Sequence, residues 1–254
     1  MSRSFGRILM KVGRITFLSN YFELKRWTLY NGSEVIEMKI EVWSDFVCPF
    51  CYIGKRRLEE AIEQAGFASQ AEVEFKSFEL DPHSPKTSDK SIYESLAEKY
   101  GSTIEAAKGM TAQVVEQAKT VGLDYNFDTM KPANTLDAHR LVKWASAQGK
   151  AKEANELLLQ AYFIEAKDIG KDEVLLDLIE SIGLPRDEAD KVLNSDDYLT
   201  EVQADIARAG QIGVRGVPFF VLNDKYAISG AQPLETFVGA LNKIAEDEGI
   251  SSSK

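Results

Sequence analysis

The chain contains two cysteines, Cys48 and Cys51, set three positions apart with Pro49 and Phe50 between them. Residues i and i+3 of a helix share a face at about 5–6 Å, a separation that suits disulfide geometry. A Cys-x-x-Cys pair at the mouth of a helix that follows a strand is the arrangement expected of a thiol–disulfide redox site. The position matters because the unpaired N–H groups of a first helical turn, with the macrodipole, favour a thiolate at Cys48 over the thiol. Pro49 fits the first helical position, where no donor is lost. Cys51, one turn further in, is expected to be the more buried thiol that closes the disulfide and releases the substrate. Zinc is an alternative, but the remaining ligand candidates, His83 and His139, are not spaced as a ligand pair, so no metal site is expected. Two inert core cysteines are the plainer alternative. The proline between them and the strand–turn–helix context argue against it.

Val217-Pro218 opens a strand after Gly213-Val-Arg-Gly216. Sheet pairing tolerates a proline there, and the trans preference of an X–Pro bond is only about 0.5–1 kcal/mol, so a cis bond is available. A cis bond would turn the Val217 backbone outward, toward an extended thiol substrate beside Cys48. Without the cysteines, an ordinary trans edge proline would be the default reading.

Other elements must hold these residues. Lys39-Ile-Glu-Val-Trp43 alternates polar and apolar residues as a strand, and Ser44 and Asp45 follow as turn or cap formers. A helix then continues through Leu58, Ala61, Ile62 and Ala65 and stops at Gly66. Residues 71–80 form a second strand, broken by Asp81-Pro-His-Ser-Pro85. From residue 89 to about 210 the apolar spacing is helical, with glycines at the boundaries. Strand character returns at Val217–Leu222, with Asn223-Asp224 as a hairpin turn, Lys225–Ser229 as its partner and a last helix over Pro233–Ile244. The predicted order is βαβ, a helical block, then ββα: an α/β sheet domain with a large all-helical insertion.

Composition narrows the function. The 254 residues are 44% hydrophobic and 28% charged, which excludes disorder and a disulfide-stapled scaffold. No apolar run approaches the roughly 18 residues of a membrane span, and a net charge of −10 disfavours nucleic acid. Residues 1–37 stand apart: six basic and three acidic residues give them +3, leaving −13 for the rest. Lys11 and Arg14 interrupt any secretory h-region. The expectation is that Met38 is the real start and that 1–37 lie outside the fold, with a transit peptide as the alternative.

Strand–Ser-Asp-x-x-Cys-Pro-x-Cys–helix, a helical insertion, and Gly-Val-x-Gly-Val-Pro-x-Phe before the terminal ββα resemble a DsbA-like thioredoxin-fold protein. The FrnE-like branch, related to kappa-class glutathione transferases and 2-hydroxychromene-2-carboxylate isomerases, is the best match, through Asn134-Thr-Leu-Asp-Ala-His-Arg140 and Ile228-Ser-Gly-Ala-Gln-Pro233. The resemblance covers about residues 38–245 and implies a thioredoxin fold, its halves at 38–88 and 211–254 around a helical domain at 89–210. It implies Cys48 as nucleophile, Cys51 as resolving thiol and Pro218 as a cis-proline. Val217, Pro49 and Phe50 are expected to bind substrate, and Asn134 and His139 to line the groove opposite Cys48. Family members without the redox pair carry serine at the Cys48 position and bind glutathione there. Both cysteines move this chain away from that chemistry, leaving glutathione as a candidate thiol substrate.

The expected activity is therefore thiol–disulfide exchange on a disulfide- or thiol-containing protein or small molecule, with its direction open. No metal, organic cofactor, nucleic acid or membrane partner is expected, and a cytoplasmic address is the expected setting; the oligomeric state is open, with a homodimer as one option that the related families offer. A glutathione-dependent isomerase or transferase acting on a small aromatic substrate is one rival, and a chaperone-like binding protein the other. His139 otherwise reads as a packing histidine and His83 as solvated. Lys55, Arg56 and Arg57 read as a solvated face, too far from Cys48 at about 10 Å to matter much. Asp45 reads as a turn or N-cap former. Asp187-Glu188 and Asp196-Asp197 read as carboxylates at helix starts. Trp43, Phe50 and Tyr52 read as core, with some of them available as an apolar rim.

Overall fold

The computed structural model describes residues 10–11 and 38–252. Its elements are β1 (Met10–Lys11), β2 (Met38–Ser44), α1 (Pro49–Ala65), β3 (Ala71–Ser77), α2 (Ile92–Tyr100), α3 (Ile104–Lys119), α4 (Leu136–Ala147), α5 (Ala151–Phe163), α6 (Asp172–Ser181), α7 (Arg186–Leu193), α8 (Leu199–Gln211), β4 (Phe219–Leu222), β5 (Tyr226–Ser229) and α9 (Leu234–Glu248). The sheet runs β1-β5-β4-β2-β3, with β2 parallel to β3 and the other pairs antiparallel. Of the segment expected outside the fold, Met10 and Lys11 pair with Ala227 and Tyr226 at the β5 edge, and the rest of 1–37 lies outside the described residues. No described helix is long and apolar enough to cross a membrane.

β2 lies inside the sheet, between β4 and β3, and both its faces are covered, so its alternation reads differently from that of a half-exposed strand. Met38, Ile40 and Val42 pack with Leu58 and Ile62 of α1 and Phe237 and Leu241 of α9. On the opposite face Trp43 packs with Phe219, Val221 and Ala209 of α8, and its indole N–H donates to the Asp205 carbonyl at 3.0 Å. Glu41 shares that face and is buried because Arg208, Lys39 and Lys76 surround its carboxylate. α8, the last helix of the expected insertion, thus lies against the sheet.

The remaining helices build their own core around Leu141, Leu158, Leu159, Leu175 and Ile179, and Phe46, Tyr52 and Ile53 belong to it. The start of α1 therefore packs into the helical part while its later turns pack on the sheet. β3 ends at Ser77, short of the expected Leu80, because the Ser77 N–H donates to Asp205 (2.8 Å) and the Leu80 N–H to Asp45 (2.7 Å). The hairpin turn has positive φ at both Asn223 (49°) and Asp224 (54°), the twist a two-residue turn requires. β4 starts only at Phe219, since Pro218 offers no N–H to the ladder. α9 continues four residues past the expected Ile244 and ends at Gly249, φ 71°.

Candidate active site

Cys48 is the N-cap of α1, with extended backbone (φ −92°, ψ 111°), and Pro49 takes the first helical position. Both cysteines are free thiols and both are buried, 4% and 2% exposed. The Cys48 thiol donates to the Val217 carbonyl at 3.4 Å, and the Asp45 N–H donates to the Cys51 sulfur at 3.5 Å. Burial pushes the Cys51 thiol well above its ordinary range; its hydrogen bond to Cys48 and their repulsion add to that, and Ser44 and the Asp45 backbone oppose it.

The Val217–Pro218 peptide bond is cis. Pro218 is seated against α1 at Gly54, where an added Cβ would lie 3.0 Å from the proline ring and 3.1 Å from the Phe220 ring. A glycine at this point of the helix lets the strand-opening loop approach Cys48 closely.

A groove of about 550 Å³ runs from Cys48 between the β3–α2 loop and helices α2 and α3. Cys48, Pro49, Phe50 and Val217 all line it. Asn134 and His139, expected to line the groove, are not among its lining residues. The Asn134 amide donates to the Ser84 carbonyl at 3.2 Å, holding the β3–α2 loop. His139 is buried, its ring 4.7 Å from that of Phe46 and its Nε2 3.0 Å from the Phe78 carbonyl and 3.4 Å from Asp45 Oδ1. Asp45 makes no side-chain cap to α1; its carboxylate accepts the Leu80 N–H in the loop after β3.

Lys55, Arg56 and Arg57 are not the solvated face that their sequence suggests. Lys55 is 5% exposed and pairs with Glu59 (2.6 Å) and Glu156 of α5 (2.5 Å). Arg56 pairs with the same Glu156 and lies 5.0 Å above the Tyr52 ring, and Tyr52 donates its O–H to Glu156. Arg57 donates to the Ala231 carbonyl at 2.6 Å. Burial alone would raise the Glu156 carboxyl, yet hydrogen bonds from Lys55 and Tyr52 and the neighbouring cations bring it below its ordinary range. Tyr125 is a second contributor unseen in the sequence. It stacks on Phe163 (4.7 Å) and Tyr52 (6.3 Å), and its O–H donates to the Pro49 carbonyl at 2.7 Å, bracing the turn between the cysteines. The aromatic cluster Tyr125-Asn-Phe127 in a non-helical stretch was the one local signal for it.

The family model of the DSBA-like thioredoxin domain matches residues 39–242. The uncharacterized protein YwbO of Bacillus subtilis (strain 168) is 29% identical over 206 residues, 80% of this chain and 95% of that one. The crystal structure of a probable DsbA oxidoreductase from Streptomyces coelicolor superposes with a TM-score of 0.79 at 35% identity, covering 86% of this chain and 93% of that one. The cytosolic disulfide reductase DsbM from Pseudomonas aeruginosa, solved with GSH, shares the fold at 15% identity and a TM-score of 0.59, over 81% of this chain and 98% of that one.

Proposed function

The chain belongs to the DSBA-like thioredoxin domain family of oxidoreductases, and from that premise we propose that it exchanges thiols and disulfides at Cys48, with Cys51 as the resolving thiol. The observation that carries this reading is the placement of the two sulfurs. Cys48 sits at the helix start on an open groove with its sulfur at the Val217 carbonyl, and Cys51 lies one turn behind it among buried atoms.

The steps follow from that placement. Cys48 gives its proton to solvent, and its sulfur attacks one sulfur of a substrate disulfide lying along the groove. The Cys48–substrate bond forms, the substrate S–S bond breaks, and the departing sulfur takes up a proton. Cys51 then attacks the Cys48 sulfur, and its proton passes to the second departing substrate thiol. Two electrons have moved from the Cys48–Cys51 pair to the substrate, and two S–H groups lost by the protein reappear on the products. An oxidised Cys48–Cys51 pair runs the same steps backward on a dithiol. The sequence is complete with thiols and disulfides alone. We place the activity in the cytoplasm, a compartment that keeps ordinary thiols reduced.

Cys48→Ser is expected to abolish exchange, and Cys51→Ser to accumulate mixed disulfides visible by mass spectrometry. Full activity in the Cys48 variant sinks the proposal. Equilibration of the pair in graded glutathione buffers assigns the direction: about −270 mV marks a reductant, and about −120 to −180 mV an oxidase or isomerase.

A further inference from the structure

Two of the residues that line the groove beside Cys48 are charged at neutral pH, Asp81 and Lys99. They pair with each other, Lys99 Nζ to Asp81 Oδ2 at 3.1 Å, each side chain about half exposed. The remaining polar lining, including Ser84, Ser95, Gln113 and Gln117, is neutral. Phe50, Leu80, Tyr100 and Met110 line the same groove, and they are four of the five large apolar side chains exposed among the described residues. Apolar exposure gathered at one concave site marks where a partner's apolar groups are received.

We propose that Asp81 sets the charge selectivity of this groove. By holding Lys99 in an ion pair, it makes the groove favour sulfur partners flanked by uncharged, apolar groups over anionic thiols such as glutathione. The inference rests on the exchange chemistry proposed above.

An anion that enters the groove meets a compact dipole where an unpaired lysine would present a full positive charge, and the field of a dipole falls off faster with distance. A carboxylate seated among apolar side chains without a cation loses hydration and gains no partner. The chain as a whole, at −10, adds repulsion. Asp81 comes from the β3–α2 loop and Lys99 from α2, so the pair also spans the two walls of the groove. Arg215, exposed two residues before Val217, is a cation on the approach to the site but does not line the groove.

The test uses a matched pair of disulfides: that of N-acetylcysteine, a dianion, and that of N-acetylcysteine amide, its uncharged counterpart. Their rates with the reduced full-length protein are normalised to their rates with free dithiothreitol. The wild type is expected to favour the uncharged probe by about threefold or more. Asp81→Asn frees Lys99 and should cut that preference by about threefold, and adding Lys99→Gln to it should restore the preference. Equal normalised rates in the wild type, a preference untouched by Asp81→Asn, or one removed by Arg215→Gln instead would each overturn the inference alone. Reaction of the wild type with neither probe, or undiminished reaction of Cys48→Ser, overturns the exchange chemistry and the inference with it.

Discussion

At the level of single residues, the two sulfurs differ in surroundings more than in depth. Cys48 opens onto a groove, whereas burial, aided by Cys48 itself, holds Cys51 well above the ordinary thiol range. A group whose folded pKa is raised contributes stability that is complete below its unfolded pKa, about 8.5 for a cysteine. That stability drains away as pH rises toward the folded value, because the unfolded chain releases a proton that the folded one keeps. Tyr52, Tyr125 and Tyr162 are raised by burial as well, so the total alkaline loss does not isolate Cys51. A difference does. In a Cys48→Ala background, which removes the coupling between the thiols, adding Cys51→Ala should flatten the fall in unfolding free energy between pH 8.5 and 10 by about 1 kcal/mol. Urea denaturation at a series of pH values measures it, and parallel curves for the two variants would show that Cys51 ionises alike in both states.

The elements around the site differ in how far local sequence reveals them. β2, α1 with its stop at Gly66, the Asn223-Asp224 hairpin and α9 were legible because period, caps and turn residues are local signals. Cys48, Pro49, Phe50 and Val217 were legible too, through two short motifs that a sheet brings together. The end of β3 was not, since it depends on Asp45, a side chain 35 positions away. Nor was the burial of Lys55, whose partner Glu156 is 101 positions on; Lys55-Arg-Arg57 has the composition of a surface. Gly54 lies between these cases. A helical glycine usually gains about 1 kcal/mol on replacement by alanine, but here the new methyl would press on Pro218 and on the fully buried Phe220. Overpacking of about 1–3 kcal/mol outweighs the helix gain. Gly54→Ala should therefore lower Tm by a few degrees and slow exchange, as Pro218 and Val217 shift relative to Cys48. A rise in Tm would mean that the loop gives way and that its fit to α1 is loose.

On the scale of the whole molecule, the net charge disfavours a nucleic-acid partner but does not show how the helical part meets the sheet. That junction is α1 with the residues that lead into it. Phe46, Tyr52 and Ile53 are buried in the core of the helical part, and Leu58 and Ile62 of the same stretch in the core of the sheet. Glu156 adds a polar clamp, accepting from Tyr52 and pairing with Lys55 and Arg56. A helix shared by two cores couples their unfolding, so near-UV and far-UV signals should report one coincident transition. Glu156→Gln keeps an acceptor for Tyr52 but leaves Lys55, at 5% exposure, with only the half-exposed Glu59. Because the clamp is partly open to solvent, the expected cost is about 1–2 kcal/mol rather than the larger loss of a fully buried pair. The Glu156 carboxyl is held below its ordinary range, so its contribution is present above the unfolded glutamate pKa, about 4.3, and is lost as pH falls through the folded value. Wild type and Glu156→Gln should thus differ in Tm by a few degrees at pH 7 and converge as the pH is lowered below about 4. A gap that persists in acid would assign the loss to packing instead of charge. Two separate transitions in the wild type would show that α1 does not bind the two cores into one cooperative unit.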